Sequence, residues 1–238
     1  MSRVLMPIQY FGLGDIIFEQ TVVRNLMQHG DKVLWGVEPI FVDGLNRAYP
    51  DFTFIDYQSL RVDLTQRAKH RSSYGFEMLP FQYSVDLCNV PYKFCMASKY
   101  MLYNMDYNIW KEKAMWHRDA VREFNLFHSL GLDEDNTEPY NLINDTFRSN
   151  LSGRVDIEVD NGFRNIRMSV LPDYSLFDWA MVIQKAATIH TVSTSIIYLL
   201  ELLELRATEI HLYPRKPEEM NFENIDYILK SHNYILHD

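Results

Sequence analysis

Cysteine is scarce, positive charge is in deficit, and no apolar run is long. The 238 residues include two cysteines, Cys88 and Cys95. They form no CxxC pair and have no histidine at metal-ligand spacing, which leads to the expectation of a reduced, cytoplasmic protein. Lysine and arginine number 23 against 32 acidic residues, for a net charge of −9. That balance argues against broad electrostatic binding to nucleic acid or to an anionic membrane surface, though not against a local basic groove. No apolar stretch is long enough to span a bilayer, and the start of the chain, with Pro7 and Gln9 in its first strand, is no signal-peptide core. The eight histidines make no HxxxH or HExxH pair, so a catalytic zinc site has no support. A Gly-x-Ser-x-Gly elbow is missing, and with it the case for a hydrolase triad. Repeats and low-complexity segments are absent too.

What is present suits a packed core. Hydrophobic residues make up 47% of the chain and aromatics 14%, a composition unlike that of a disordered protein. The length fits one α/β domain or two small ones.

Strands and helices alternate from the start. Arg3–Tyr10 reads as a buried strand, Phe11 to Asp15 as a turn with two glycines, and Ile16–His29 as a helix with Gly30 as its cap. Lys32–Val37 is a second strand, Phe41–Tyr49 a helix closed by Pro50, and Phe52–Tyr57 a third strand. Short connections between them predict a parallel sheet. Arg61–Ser73 is polar and Leu79–Met105 has no clear period, while Asp106–Leu130 reads as one or two helices. The acidic turn Asp133–Pro139 marks a domain boundary, giving domains 1–135 and 136–238. Beyond it come strands at Tyr140–Asn144 and Ile166–Val170, with an additional one expected over Arg154–Val159. A helix over Ser175–Ala187 opens on a capping box of Ser175 and Asp178. Then follow a strand (Thr188–Val192), the turn Ser193-Thr194-Ser195, a helix (Ile196–Leu205), a strand (Glu209–Tyr213), a last helix (Phe222–His232) and a tail at Tyr234–Leu236.

Chemistry concentrates at a few turns. Ser193, Thr194 and Ser195 stand where a strand hands over to a helix, and free N–H groups and the helix dipole there suit a phosphate; the plainer alternative is an N-cap. Gly12 and Gly14 allow close backbone approach before the first helix, but Ile17 occupies the third glycine position of the dinucleotide fingerprint. No Gly-Lys-Ser/Thr follows, so this is no phosphate loop. Glu38 ends the second strand, where an NAD enzyme keeps its ribose acid. Asn144, Thr146 and Arg148 lie at or past a strand end, as do Tyr174, Arg215 and Lys216, and in open α/β sheets ligands bind outside those ends. His190 sits just before the hydroxyl turn, as a ligand contact or a packed core residue. Asp133-Glu134-Asp135 has the Asp-x-Asp form that holds metal on nucleotide sugars, and also the look of a solvated linker. Tyr107 and Lys111 have the spacing of a short-chain dehydrogenase pair, which on a helix means only one shared face.

The order of these elements carries a resemblance. The first strand, Gly12-Leu13-Gly14-Asp15 opening a helix, and the later Ser175-Leu-Phe-Asp-Trp-Ala…Lys185-Ala-Ala-Thr-Ile-His-Thr-Val-Ser-Thr-Ser-Ile196 are together similar to a compact GT-B glycosyltransferase of the lipopolysaccharide heptosyltransferase type. The likeness covers about Arg3–Tyr57 and Tyr140–Tyr213; nothing between Arg61 and Leu130 matches. It implies two small Rossmann-like domains with parallel sheets facing a cleft, the first on the acceptor side and the second holding the donor. It implies inverting, metal-independent transfer of a sugar from a nucleotide-sugar co-substrate to a glycan or other hydroxyl acceptor, with no further cofactor. A nucleic acid acceptor fits the −9 charge poorly. By position, Asp15 becomes the general base at a cleft loop with Gly12 and Gly14. Ser193, Thr194 and Ser195 become the diphosphate site, with Arg148 as cationic clamp and Asn144, Tyr174 and His190 as further donor contacts. The family's Asp-Ser-Gly or Asp-Thr-Gly donor turn is Ser193-Thr194-Ser195 here. Two other readings stand beside this one. One is a nucleotide-dependent oxidoreductase built on Gly12, Gly14 and Glu38. The other is a non-catalytic nucleotide- or glycan-binding module.

Overall fold

The computed structural model describes residues 3–60, 76–133, 138–148, 152–215 and 228–237. Two compact units divide between His117 and Arg118. Each is α/β and Rossmann-like with a parallel sheet. The division falls before the acidic turn, because helix α5 (Ala120–Ser129) packs with the second unit's α6 and the turn that precedes it.

In the first unit the strands are β1 (Val4–Pro7), β2 (Lys32–Val37), β3 (Thr53–Asp56) and β4 (Phe76–Leu79), in the spatial order β3-β2-β1-β4. Every pair is parallel. Helix α1 (Leu13–Leu26) follows β1 and α2 (Pro39–Ala48) follows β2. Gly30 does not cap α1. The helix ends at Leu26 when Met27 N–H bonds Val23 O at 3.1 Å, and the Asp31 carboxylate then takes Gln28 N–H at 2.9 Å, leaving Gly30 (φ +87°) within that turn.

Most of α1 is buried, from Ile16 to Val23 without a break. It is covered by the sheet, by α4 (Cys95–Met101) and by a 3-10 turn at Tyr107–Lys113. Such a helix must settle its polar side chains internally. Thr21 Oγ1 donates to Trp110 O at 2.5 Å, Gln20 Nε2 to Ile16 O at 3.1 Å, and Tyr100 Oη to Phe18 O at 2.7 Å. Glu19 is settled by a lysine. The stretch 79–105 that shows no period in the sequence resolves into the end of β4 and two short helices, α3 (Ser84–Cys88) and α4. Cys88 and Cys95 are free thiols. Residues 106–130 contain the 3-10 turn, an extended stretch and α5. The expected polar stretch at 61–73 lies outside the described residues.

In the second unit the strands are β5 (Tyr140–Asn144), the hairpin β6 (Thr146–Arg148) and β7 (Ser152–Arg154), β8 (Arg164–Arg167), β9 (Thr188–Val192), β10 (Glu209–Tyr213) and β11 (Tyr234–Leu236). Five form a parallel sheet in the order β11-β10-β9-β5-β8. Helix α6 (Ala180–Lys185) precedes β9 and α7 (Ile196–Leu202) follows it. The capping box forms: Asp178 Oδ2 accepts from Ser175 N at 2.7 Å and from Ser175 Oγ at 2.9 Å. Three expectations shift. The strand expected over 154–159 is the end of β7 followed by irregular chain, since Val155 N–H is spent on Asp145 O rather than on a sheet partner. The strand expected over 166–170 begins two residues earlier and stops at Arg167. The tail at 234–236 is the edge strand β11, paired with β10. Most of the helix expected over 222–232 lies outside the described residues, and 228–232 is turn and bend. No described helix is long and apolar enough to cross a membrane.

Candidate functional site

Strand order locates a crevice in each sheet. In the first unit the chain runs outward from β1 through β2 to β3, then returns to the other side of β1 as β4. In the second it runs from β5 to β8, then returns to the other side of β5 as β9, β10 and β11. The connections leaving strands on either side of such a reversal diverge and open a crevice at the strands' carboxyl ends. Gly12–Asp15 leaves the carboxyl end of β1. Asn144 ends β5, and Ser193–Ser195 leaves β9. Both predicted turns therefore stand at the reversal point of their own sheet.

At the first turn, Gly12 is the N-cap of α1 with φ +84°, a backbone state that side chains other than glycine's resist. Gly14 lies buried in the first turn of the helix. Asp15 is the third helical residue, and its carboxylate folds back over Gly12, so that a Cβ there would collide with Oδ2. Its Oδ1 lies 2.8 Å from Lys99 Nζ, and the side chain keeps 33% exposure. Lys99, from α4, is buried and has two further acceptors, Gln9 Oε1 at 3.0 Å and Glu19 Oε1. Gln9 in turn donates from Nε2 to Phe11 O at 2.5 Å, tying the ammonium to the chain that enters Gly12. Burial alone would make Lys99 less basic, but Asp15 and Glu19 beside it reverse that and hold it protonated. Burial pushes the Glu19 carboxyl up to about 8, against the opposing pull of Lys99. Its second oxygen has no hydrogen-bond partner among the described residues.

Lys99 escaped the sequence analysis because it comes from the segment without a motif. A signal for it existed. Asp15 and Glu19 stand four residues apart on one helix face beside the apolar run Ile16-Ile17-Phe18, and two acids at that spacing call for a cation between them.

At the second turn, Asn144 Nδ2 donates to Thr191 Oγ1 at 2.9 Å and to Thr194 Oγ1 at 3.0 Å. Ser193 is buried, and its N–H reaches Tyr213 O at 3.3 Å. Thr194 and Ser195 are half-exposed. Ser195 is the N-cap of α7 in αR geometry, and its hydroxyl makes no capping bond, so capping does not occupy the turn's accessible oxygens. The helix behind it is seven residues long, shorter than expected, because Leu203 turns extended after bonding Leu199 O.

Of the other candidates, His190 and Tyr174 make their contacts away from this turn. His190 lies on the face of β9 opposite Thr191, stacked on His211 with 4.2 Å between ring centroids and 3.2 Å from Tyr213 Oη. Burial, with His211 and His237 adding, pulls its pKa down to about 4. Tyr174 lies under the Arg122 guanidinium, 5.3 Å from its ring centroid, on the α5 side of the unit. Arg148 pairs with Ser152 in the β6–β7 hairpin, but its side chain lies outside what the structure describes. Thr146 opens that hairpin and is exposed. Arg215 follows β10 half-buried, whereas Lys216, Glu134 and Asp135 lie outside the described residues. Glu38 is the N-cap of α2. Tyr107 and Lys111 lie on a 3-10 turn, where three residues complete a turn, so a spacing of four takes them off a common face. Among the described residues no group of three or more His, Cys, Asp or Glu side chains could hold a metal ion.

No protein-family model matches this sequence, and no curated protein matches it. Solved structures do. The iron-containing dodecameric glycosyltransferase TibC of enterotoxigenic E. coli H10407 matches with a TM-score of 0.52 at 12% identity, over 90% of this chain and 58% of that one. The E. coli ADP-heptose lipopolysaccharide heptosyltransferase II matches with a TM-score of 0.51 at 11% identity, over 99% of this chain and 90% of that one. This chain thus spans little more than half the length of TibC. At such identities the likeness shows the fold: two α/β Rossmann-like units with parallel sheets, the architecture of GT-B glycosyltransferases.

Proposed function

We propose that this protein is a glycosyltransferase that moves a sugar from a nucleotide-sugar donor to an acceptor hydroxyl, with inversion and without a metal. One observation carries the reading. In a fold shared with glycosyltransferases, the carboxylate turn and the hydroxyl turn each stand at the reversal point of their own sheet, where such sheets take ligands.

In the proposed reaction the acceptor oxygen attacks the anomeric carbon on the face opposite the leaving group. Asp15 takes the hydroxyl proton as that bond forms. The bond from the anomeric carbon to the diphosphate oxygen breaks, and its electron pair leaves with the nucleoside diphosphate. Thr194 and Ser195 hydroxyls hydrogen-bond the diphosphate and stabilise the charge it gains. Arg148 supplies the cationic clamp.

Thermal-shift screening against UDP-, GDP- and ADP-sugars and against NAD(P) tests the donor class. The expected outcome is stabilisation by a nucleotide sugar; stabilisation by NAD(P) alone overturns the reading. Asp15→Asn is expected to keep donor binding and abolish transfer.

A further inference from the structure

We infer that Lys99 is the positioning residue of Asp15, a buried ammonium that holds one carboxylate oxygen so that the other faces the acceptor. The inference rests on the reading of Asp15 as the base. An ammonium has three N–H donors, and Lys99 has three acceptors around it: Asp15 Oδ1 at 2.8 Å, Gln9 Oε1 at 3.0 Å and Glu19 Oε1. A fully occupied tripod cannot rotate. Two of its legs are themselves fixed, since Glu19 is buried within α1 and Gln9 is bonded to Phe11 O. Asp15 is the one leg that reaches the surface. With Oδ1 tied, Oδ2 over Gly12 is the oxygen left to take a proton. Without the ammonium nothing ties Oδ1, and the exposed carboxylate is free to swing away from Gly12.

A purely structural role is the competing explanation, in which Lys99 only neutralises buried Glu19. The two are separable. Lys99→Met alone leaves Glu19 without its partner and risks unfolding. The double variant Lys99→Met/Glu19→Gln removes the ammonium together with the buried carboxyl that it serves, and leaves Asp15 untouched. If Lys99 serves only Glu19, that variant behaves as wild type. If it positions Asp15, the variant folds and binds donor yet remains impaired.

Two readouts decide. One is the titration midpoint of the Asp15 carboxyl by carbon-13 NMR, assigned with Asp15→Asn. The other is nucleoside diphosphate release, with water as acceptor, from the nucleotide sugar that the thermal-shift screen selects. The double variant is expected to move the midpoint to higher pH and to slow release by ~10–100-fold at unchanged donor affinity. Burial keeps Glu19 protonated through the acid range, so Glu19→Gln alone removes no charge there and leaves the midpoint unchanged. The remaining ionisable groups facing the cluster, Cys95, Tyr100 and Tyr103, are all pushed upward by burial and do not titrate in the acid range. A double variant with wild-type release and midpoint, beside an inactive Asp15→Asn, overturns the positioning role and leaves the base reading intact. An Asp15→Asn enzyme that turns over near the wild-type rate overturns the base reading, and the positioning role with it.

Discussion

The Asn144 side-chain amide reaches Thr194 Oγ1 at 3.0 Å while its second hydrogen goes to Thr191 Oγ1 at 2.9 Å. One residue at the end of β5 thereby fixes both the last turn of strand β9 and the loop that leaves it. Asn144→Ala removes two hydrogen bonds from a buried site. The expected loss of stability is about 1–2 kcal/mol, and nucleotide-sugar affinity should fall by about tenfold as the turn loosens. Urea unfolding and titration calorimetry read the two effects. A stability loss with unchanged affinity would detach Asn144 from donor binding.

The three hydroxyls of that turn should not be equivalent. Ser193 is buried and Ser195 is half-exposed with no capping bond. Ser195→Ala is therefore expected to leave the melting temperature unchanged and weaken nucleotide-sugar binding by about 1 kcal/mol. Ser193→Ala should leave affinity unchanged, because the buried residue's bond is its backbone N–H to Tyr213 O, which alanine keeps. Equal affinity losses from the two substitutions would contradict this geometry.

Gly12 is the strongest backbone constraint near Asp15. Gly12→Ala faces a φ of +84° and a collision between its new methyl and Asp15 Oδ2. The left-handed state costs a side chain about 1–2 kcal/mol, and relieving the collision must displace the carboxylate. Reduced turnover is expected at near-normal donor affinity, with lower stability in chemical denaturation. Wild-type turnover by Gly12→Ala would show that the carboxylate's place over Gly12 is not the reactive one.

Much of this arrangement was legible in the sequence, for a physical reason. Strands β2, β5, β9 and β10 have the ends expected for them. Each is a short apolar or β-branched run that announces itself locally. The hydroxyl turn and the Gly12–Asp15 turn follow from where such runs stop. Lys99 and β11 were not legible, because each depends on a partner far away in the chain. Lys99 needs two residues of α1 and one beyond β1, and Tyr-Ile-Leu at 234–236 becomes a strand only when β10 pairs with it. Tyr107 and Lys111 mislead for a different reason, since their spacing presumes an α-helix where the chain winds as 3-10.

Two buried groups give stability opposite pH dependences. Glu19 has its carboxyl raised from the ordinary 4.5 to about 8, chiefly by burial. Its native form prefers the proton, so its contribution is whole below about 4.5 and is lost as pH rises through about 8. His190 is lowered from 6.5 to about 4, again chiefly by burial. Its contribution is whole above 6.5 and is lost as pH falls toward about 4. Between about 4.5 and 6.5 the two slopes oppose each other and a single melting curve conceals both. Glu19→Gln should flatten the alkaline loss and His190→Phe the acid loss, each seen as melting temperature against pH. A Glu19→Gln protein that still loses stability as steeply on the alkaline side would mean that Lys99 keeps Glu19 ionised throughout.

The edge strand β11 gives the last prediction, because one buried carboxylate bonds both the strand and the chain leading into it, beside the contact of His232 Nε2 with Leu200 O at 2.9 Å. Glu201 of α7 accepts from Ser231 N–H at 3.0 Å and Lys230 N–H at 3.2 Å, and from Tyr234 Oη at 2.7 Å. These bonds fasten the chain just before β11, whose pairing partner among the described strands is β10. A three-residue edge strand with two half-open side chains buries too little apolar area to hold itself in place. Glu201→Ala should thus release 230–236 as a unit, at a cost of about 2–3 kcal/mol for hydrogen bonds to a charged group. Hydrogen exchange at the Ile235 and Leu236 amides should accelerate far more than at Ile189 or Leu142 in the strands β9 and β5. Glu201→Gln should fall between, since one amide oxygen still accepts. Uniform acceleration across the sheet would show instead that Glu201 supports α7 and its contacts with the whole core, with β11 following passively.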